Sequence, residues 1–217
     1  MLTCYTFGAV PAFAQGLVRD LRVRWAMEEA GLPYDVRLVG EDIEREDYRR
    51  THQPFGQVPA IEEDGFQLFE SGAIVLYIAE KSEKLAPRTP EARAKVQQWA
   101  FVALNSVEPH LGELVDIDIF SAEEDWAKQR RPAAVKRTEA RLDLLAAKLD
   151  GRDYATGAEF SVADILLATA LKELRHTDLI DRRPVLMAYM ERCFARPAYR
   201  KALADHMAVF ERQPEPA

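Results

Sequence analysis

The residues best suited to chemistry lie between Phe55 and Lys81, in the run FGQVPAIEEDGFQLFESGAIVLYIAEK. Ser71 opens a helical pattern carried by Ala73, Ile74, Tyr77 and Ile78 at i, i+3 and i+4 spacing. A serine there is a good cap. Its hydroxyl and the first unbonded N–H groups form a ready carboxylate site. Glu70, beside it, can hold an amine. Pro59 stands at the mouth of a strand, where it cannot donate to the ladder. With a cis bond ahead of Pro59, the N–H and C=O of Val58 would face an extended peptide as an added strand does. In the plainer reading Pro59 merely limits a strand and Ser71 is an ordinary cap.

These residues need a scaffold, and the surrounding pattern supplies one. Val58 to Glu62 and Phe66 to Phe69 are short strand-like runs. Asp64-Gly65 between them provides the positive φ angles of a tight hairpin turn. Upstream, Leu2 to Phe7 reads as a strand and Gly8 to Gln15 as a loop broken by Gly8 and Pro11. Val18 to Ala30 reads as an amphipathic helix, with Gly31 as its stop and Pro33 beyond. Tyr34 to Val39 alternates as a second strand, and strand, helix and strand in this order make a right-handed parallel unit. Glu41 to Arg50 is a charged short helix or turn. The order βαβ, α, ββα is that of a thioredoxin-like domain.

Leu85 to Pro90 carries two prolines and marks the linker. Everything after it reads as helix: Glu91 to Val115 with a bend or break at Pro109, Ala127 to Leu149, Ser161 to Leu174, Pro184 to Phe194 and Ala198 to Phe210. Residues 213 to 217 read as a frayed tail. Ser161 and Asp164 have capping-box spacing, and Phe160 and Ile165 fall on the staple positions. Those residue types and spacings describe a helix start, not a catalytic pair.

The chain has 217 residues, 48% of them hydrophobic and 30% charged, with a net charge of -7. That is enough chain for one large or two small cored domains. An acidic balance argues against nucleic acid, whose phosphates call for a basic footprint. Cys4 and Cys193 are far apart and form no C-x-x-C pattern, so neither a disulfide framework nor a zinc site is read from them. MLTCYTFGAVPAFAQ lacks the basic lead-in of a signal peptide, and no stretch approaches the ~20 apolar residues of a membrane span. The expected setting is reducing and cytoplasmic.

The combination FGQVPAI, DG and ESGAIVLYIAE strongly resembles the glutathione-binding half of the glutathione S-transferase family. The segment RVRWAMEEAGLPYDVRLV, Arg22 to Val39, resembles that family's first helix and second strand, and the likeness extends over nearly the whole chain. It implies an α/β thioredoxin-like domain over 1–84 and an all-α helical domain over 85–217. It also implies glutathione as co-substrate. Val58, before Pro59, would pair with the cysteinyl backbone, with Gln57 just ahead of it. Glu70 and Ser71 would hold the γ-glutamyl end. The implied protein is a cytoplasmic homodimer that detoxifies small apolar electrophiles. The alternative is a glutathione- or hydrophobe-binding protein on the same fold.

Such chemistry needs a thiolate. A free thiol has a pKa near 8.5. Lowering it by about two units favours the charged form by roughly 2.7 kcal/mol. The family places a Tyr, Ser or Cys at the end of the first strand or the start of the first helix. Aligned forward, YTFGAV looks like the beta-class bacterial transferases and puts the catalytic cysteine position on Val10. Counted back from Gly31, that position falls on Arg19, and the serine position of the zeta and theta classes falls on Leu17. No Ser, Thr, Cys or Tyr lies between Gly8 and Asp20. Tyr5, donating a hydrogen bond, and Arg19, as a fixed charge, are the two catalytic candidates; Tyr5 leads, because the family has a tyrosine solution and this residue sits on the first strand. Cys4 alternates away from Tyr5 and reads as core. Val10, Pro11 and Phe13 would wall an electrophile pocket, and Ser106 and His110 would face it from the first helix of the second domain.

Overall fold

The computed structural model describes residues 1–40, 43–85, 87 and 89–211. The expected tail 213–217, residues 41–42 of the charged segment and residues 86 and 88 of the linker lie outside the described residues. Two compact units are present: Met1–Pro87 with Ala195–Ala217, and Arg88–Phe194.

The first unit is built on a four-stranded sheet of order β2-β1-β3-β4. β1 (Leu2–Phe7) pairs in parallel with β2 (Tyr34–Val39), from Leu2 opposite Tyr34 to Phe7 opposite Val39. α1 (Asp20–Ala30) crosses between them and stops at Gly31, whose φ of 69° is the left-handed geometry of a helix end. α2 (Ile43–Thr51) follows, and then the hairpin of β3 (Ala60–Glu63) and β4 (Phe66–Phe69). The turn between these strands has φ of 51° at Asp64 and 83° at Gly65. Two successive positive angles match the right-handed strand twist, as the Asp-Gly step predicts. α3 (Ser71–Glu80) closes the segment.

β1 is buried on both faces. Tyr5 packs with Val39, Tyr48, Val58 and Ala60 on one side. Cys4 alternates to the other and is fully buried. Burial, with Asp20 adding to it, pushes the Cys4 thiol far above its usual range, so the sulfur is inert core.

The sequence places the last helix with 85–217. In the structure α9 (Pro197–Glu211) groups with the first unit because it packs along α1. Trp25 meets Tyr199 edge-on at 4.8 Å, and Arg196 holds Glu29 through hydrogen bonds of 2.5 and 2.8 Å. Deeper, Asp20 is wholly buried and its Oδ2 accepts from Arg24 Nε at 2.7 Å and lies 3.2 Å from His206 Nδ1. His206 Nε2 in turn accepts the Gly16 N–H at 3.3 Å. Three elements of the first unit are thus tied at one buried carboxylate.

The second unit is helical: α4 (Pro90–Phe101), α5 (Glu108–Val115), α6 (Asp125–Leu149), α7 (Val162–Lys172) and α8 (Pro184–Phe194). The break expected at Pro109 takes a specific form. A π-helical turn, Val102–Val107, precedes α5 and shifts the hydrogen-bond register just before the proline that cannot donate. A second π turn, Asp116–Phe120, ends the run. α6 carries Pro132 internally. α7 is buried from Val162 to Leu171. Its start is the predicted capping box: Asp164 Oδ2 accepts the Ser161 N–H at 2.9 Å, while Oδ1 accepts the Ala155 N–H at 2.7 Å and the Tyr189 hydroxyl at 2.9 Å. Asp164 is fully used by structure.

Burial pushes the Asp20 carboxyl up, but the His206 hydrogen bond and the Arg24 guanidinium outweigh it and hold the group below the usual carboxylate range. A depressed folded pKa stabilises above the unfolded value of about 3.9, and that contribution is lost as pH falls through the lower folded value. Asp20→Asn strands buried Arg24 and should cost about 3–5 kcal/mol in urea denaturation. Asp47→Asn, at an exposed pair with Arg50, should cost less than about 1 kcal/mol. Equal costs for the two variants would contradict this account.

Candidate functional site

The site in the first unit forms where β4 turns into α3. Glu70 holds a φ of 69° and a ψ of 113°, a sparsely populated region for a residue with a side chain. This corrects one expectation. Ser71 does not cap α3 from outside; Glu70 occupies the cap position and Ser71 is the first helical residue. The Glu70 carbonyl accepts the Ile74 N–H at 2.9 Å. The N–H groups of Ser71, Gly72 and Ala73 therefore precede the first intrahelical bond, and the positive end of the helix dipole lies there.

Behind this helix start sits Arg22, 2% exposed, on α1. Its Nη1 donates to Ser71 Oγ at 3.1 Å. Ser71 thus accepts from a cation and keeps its own hydroxyl proton to donate onward. The guanidinium, the hydroxyl and the helix end all favour a negative group. The exposed Glu70 side chain beside them favours a positive one. A zwitterionic amino-acid end matches that pairing. Arg22 was missed from the sequence: α1 offers Arg22 and Arg24 in one turn, and nothing local distinguishes the one that reaches Ser71 from the one that pairs Asp20.

Gln57, Val58 and Pro59 lead into β3, and the Val58–Pro59 bond is cis. Gln57 is exposed, whereas Val58 is 8% exposed and packs in the cluster with Tyr5 and Tyr48.

The two catalytic candidates sit differently. The Tyr5 hydroxyl donates to Glu62 Oε2 at 3.0 Å, in a side chain only 5% exposed. Its ring lies 4.3 Å from that of His52, and His52 Nε2 is 3.2 Å from the same Glu62 oxygen. Burial first, then Glu62, pushes the phenol pKa up. Arg19 is exposed at the start of α1, where its carbonyl accepts the Arg22 N–H at 3.2 Å.

Val10 is half-buried, and Pro11 and Phe13 are exposed at a short 3-10 turn, Ala12–Ala14. Ser106 and His110 belong to the second unit. Ser106 lies in the first π turn and lines a cavity of about 500 Å³ with Trp99, Leu145 and Arg141. His110 is on α5, with Nε2 3.4 Å from Arg141 Nη2. Among the described residues there is no cluster able to hold a metal ion, and no helix is long and apolar enough to cross a membrane.

Comparison with known proteins agrees with this architecture. The family model for the glutathione S-transferase N-terminal domain matches residues 21–88, and that for the C-terminal domain matches 114–197. β1 and the loop after it fall outside the first match. A glutathione S-transferase of Hyoscyamus muticus is 31% identical, covering 84% of this chain and 92% of its own. A probable maleylacetoacetate isomerase of Drosophila melanogaster is 29% identical over 83% of this chain and 81% of its own. Among solved structures, a glutathione transferase of Burkholderia graminis with two bound glutathione molecules per subunit has a TM-score of 0.80 at 28% identity, covering 93% of this chain and 87% of its own. With both domain models matched and a relative of this likeness along most of its length, the chain belongs to the glutathione S-transferase family.

Proposed function

We propose that the first unit binds glutathione and activates its thiol for transfer to a small apolar electrophile. The observation that carries this reading is the Arg22–Ser71 hydrogen bond at the start of α3, beside Glu70. In it, Ser71 and the α3 N–H groups hold the γ-glutamyl carboxylate, Glu70 holds its amine, and the Val58 backbone pairs with the cysteinyl part, with Gln57 and Pro59 flanking it. The chain is a glutathione transferase, with glutathione as co-substrate. In the transfer step the thiol proton leaves to solvent. A sulfur lone pair then forms the C–S bond, and the displaced bond pair leaves with the departing group or enters a conjugated acceptor. Val10, Pro11 and Phe13 supply apolar surface for the electrophile, and Ser106 and His110 are the candidate substrate residues of the second unit. The protein acts in the cytoplasm, in detoxification, as a homodimer. For the dimer, light scattering at micromolar concentration should return twice the 24.6 kDa chain mass; a value equal to one chain would rule it out.

The binding half is tested by Ser71→Ala. Losing a hydrogen bond to a charged group should weaken glutathione by about 1.5–3 kcal/mol in calorimetry. Stability should also fall, by about 1.5–3 kcal/mol, because the substitution removes the acceptor of buried Arg22. Unchanged affinity would remove Ser71 from the site.

For thiolate stabilisation the candidates are Tyr5 and Arg19. The Tyr5 hydroxyl already has a carboxylate acceptor, which supports Arg19 at the start of α1. A cation within about 4–6 Å lowers a thiol pKa by about one to three units. In a thiolate-absorbance titration of bound glutathione, Arg19→Ala should raise the pKa by about one unit or more and slow conjugation at neutral pH about tenfold. Tyr5→Phe should leave the titration where it was and cost about 1 kcal/mol of stability through the lost Glu62 bond. A rise in Tyr5→Phe alone would return the role to the phenol.

A further inference from the structure

The segment between α2 and β3 is held in a way the glutathione reading does not use. Gln53 is 2% exposed, and its Oε1 accepts two backbone N–H groups, from Phe55 at 2.7 Å and from Gln57 at 3.1 Å. The Gln53 carbonyl accepts a third, from Gly56 at 3.0 Å. The three consecutive N–H groups of residues 55, 56 and 57 therefore all end on one residue. Gln53 itself is anchored to the helix: its N–H and that of His52 both donate to the Tyr48 carbonyl, at 3.1 and 2.8 Å. From the same helical turn the Tyr48 hydroxyl donates to the Gln57 carbonyl at 2.8 Å. Both polar groups of the Gln57 backbone are thus taken, one by Gln53 and one by Tyr48. Tyr48 is 4% exposed and its ring belongs to the cluster that also buries Val58.

Gly56 completes the loop. Its φ is +68°, and a Cβ there would meet the Arg49 side chain at 3.1 Å. The turn therefore wants a glycine for its angle.

We propose that Tyr48 and Gln53 are positioning residues for glutathione: they pin the Gln57 peptide from both sides, so that Val58 meets the cysteinyl backbone already in place. The proposal rests on the glutathione-binding reading of Val58. A main-chain partner binds tightly only when it does not have to be ordered on binding, and a five-residue loop with its amides unpaired would have to be. Here the ordering is done by the end of α2, in the free protein. Neither residue touches the ligand. Their loss should therefore change affinity for glutathione and leave the sulfur chemistry alone.

The test uses Tyr48→Phe, which keeps the ring in its cluster, and Gln53→Met, which keeps the length and removes the acceptor. Gln53→Glu retains an acceptor oxygen at the same reach and serves as the rescue. With reduced glutathione in calorimetry, Tyr48→Phe and Gln53→Met should each raise Kd about 5- to 20-fold, and Gln53→Glu should stay within about threefold of the parent. The pKa of the bound thiol should not move. Hydrogen exchange at the amides of Phe55, Gly56 and Gln57 should accelerate in Gln53→Met, and remain slow in Ser71→Ala. A merely structural role would lower the melting temperature without changing Kd at 25 °C. If Ser71→Ala loses affinity while Tyr48→Phe and Gln53→Met keep the parent Kd, the clamp is overturned and the glutathione site stands. If the parent protein binds no glutathione, the site reading falls and the clamp's role falls with it.

Discussion

Asp20 is buried to 0% exposure and still charged, and much of the first unit is arranged around that fact. A lone buried carboxylate is costly, so partners must come to it. Arg24 arrives from the next turn of α1, and His206 arrives from α9, 186 residues later. Through His206 the network continues to the backbone of Gly16, in the loop that leads into α1. The start of α1, its preceding loop and α9 are held at one charge. Asp20 Oδ1 and Arg24 Nη2 have no hydrogen-bond partner among the described residues, so the cluster is carried by charge pairing more than by full saturation of its donors and acceptors.

α1 uses its helical periodicity to divide two tasks. Asp20 and Arg24, four apart, share the face that meets α9. Arg22 lies between them in sequence and half a turn away in space, so it reaches the start of α3. One helix therefore serves both the packing of the unit and the charge behind its proposed binding site. The site acquires an anion-favouring end from Arg22, Ser71 and the α3 dipole, and a cation-favouring side chain from Glu70. The positive φ at Glu70 has a cost of order 1–3 kcal/mol, which the flanking β4 strand and α3 helix must overcome to hold that turn.

The second unit is organised by a different buried acid. Asp164 accepts from two backbone N–H groups and two hydroxyls, from residues as far apart as Ala155 and Tyr189. Burial pushes its carboxyl up, against the hydrogen bonds that favour the charge. Around the buried α7, the π turns of the 90–120 region let a helical run pass Pro109 without a chain break.

The parts legible in sequence were those decided by local chemistry. Asp64-Gly65 turns because few other dipeptides accept two positive φ angles, and Ser161 with Asp164 starts a helix because the reach of each side chain is three residues. Most strand and helix spans and the family resemblance follow from patterns of the same short range. What tertiary structure decided are pairings across long separations. Tyr5 reads as a hydroxyl available to sulfur, and only the fold gives that hydroxyl a carboxylate acceptor in Glu62, 57 residues away. Arg22 and Arg24 are chemically alike, and only the positions of α3 and α9 give one to Ser71 and the other to Asp20. Tyr48 and Gln53 read as part of a charged helix and its exit, and became an anchor only when β3 brought the Gln57 carbonyl within 2.8 Å of the phenol. α9 reads as one more helix of the helical region, yet it belongs with the sheet, because its His206 and Arg196 find their carboxylates on α1. Residue type sets what a side chain can bind; the direction in which the folded backbone points it sets what it does bind.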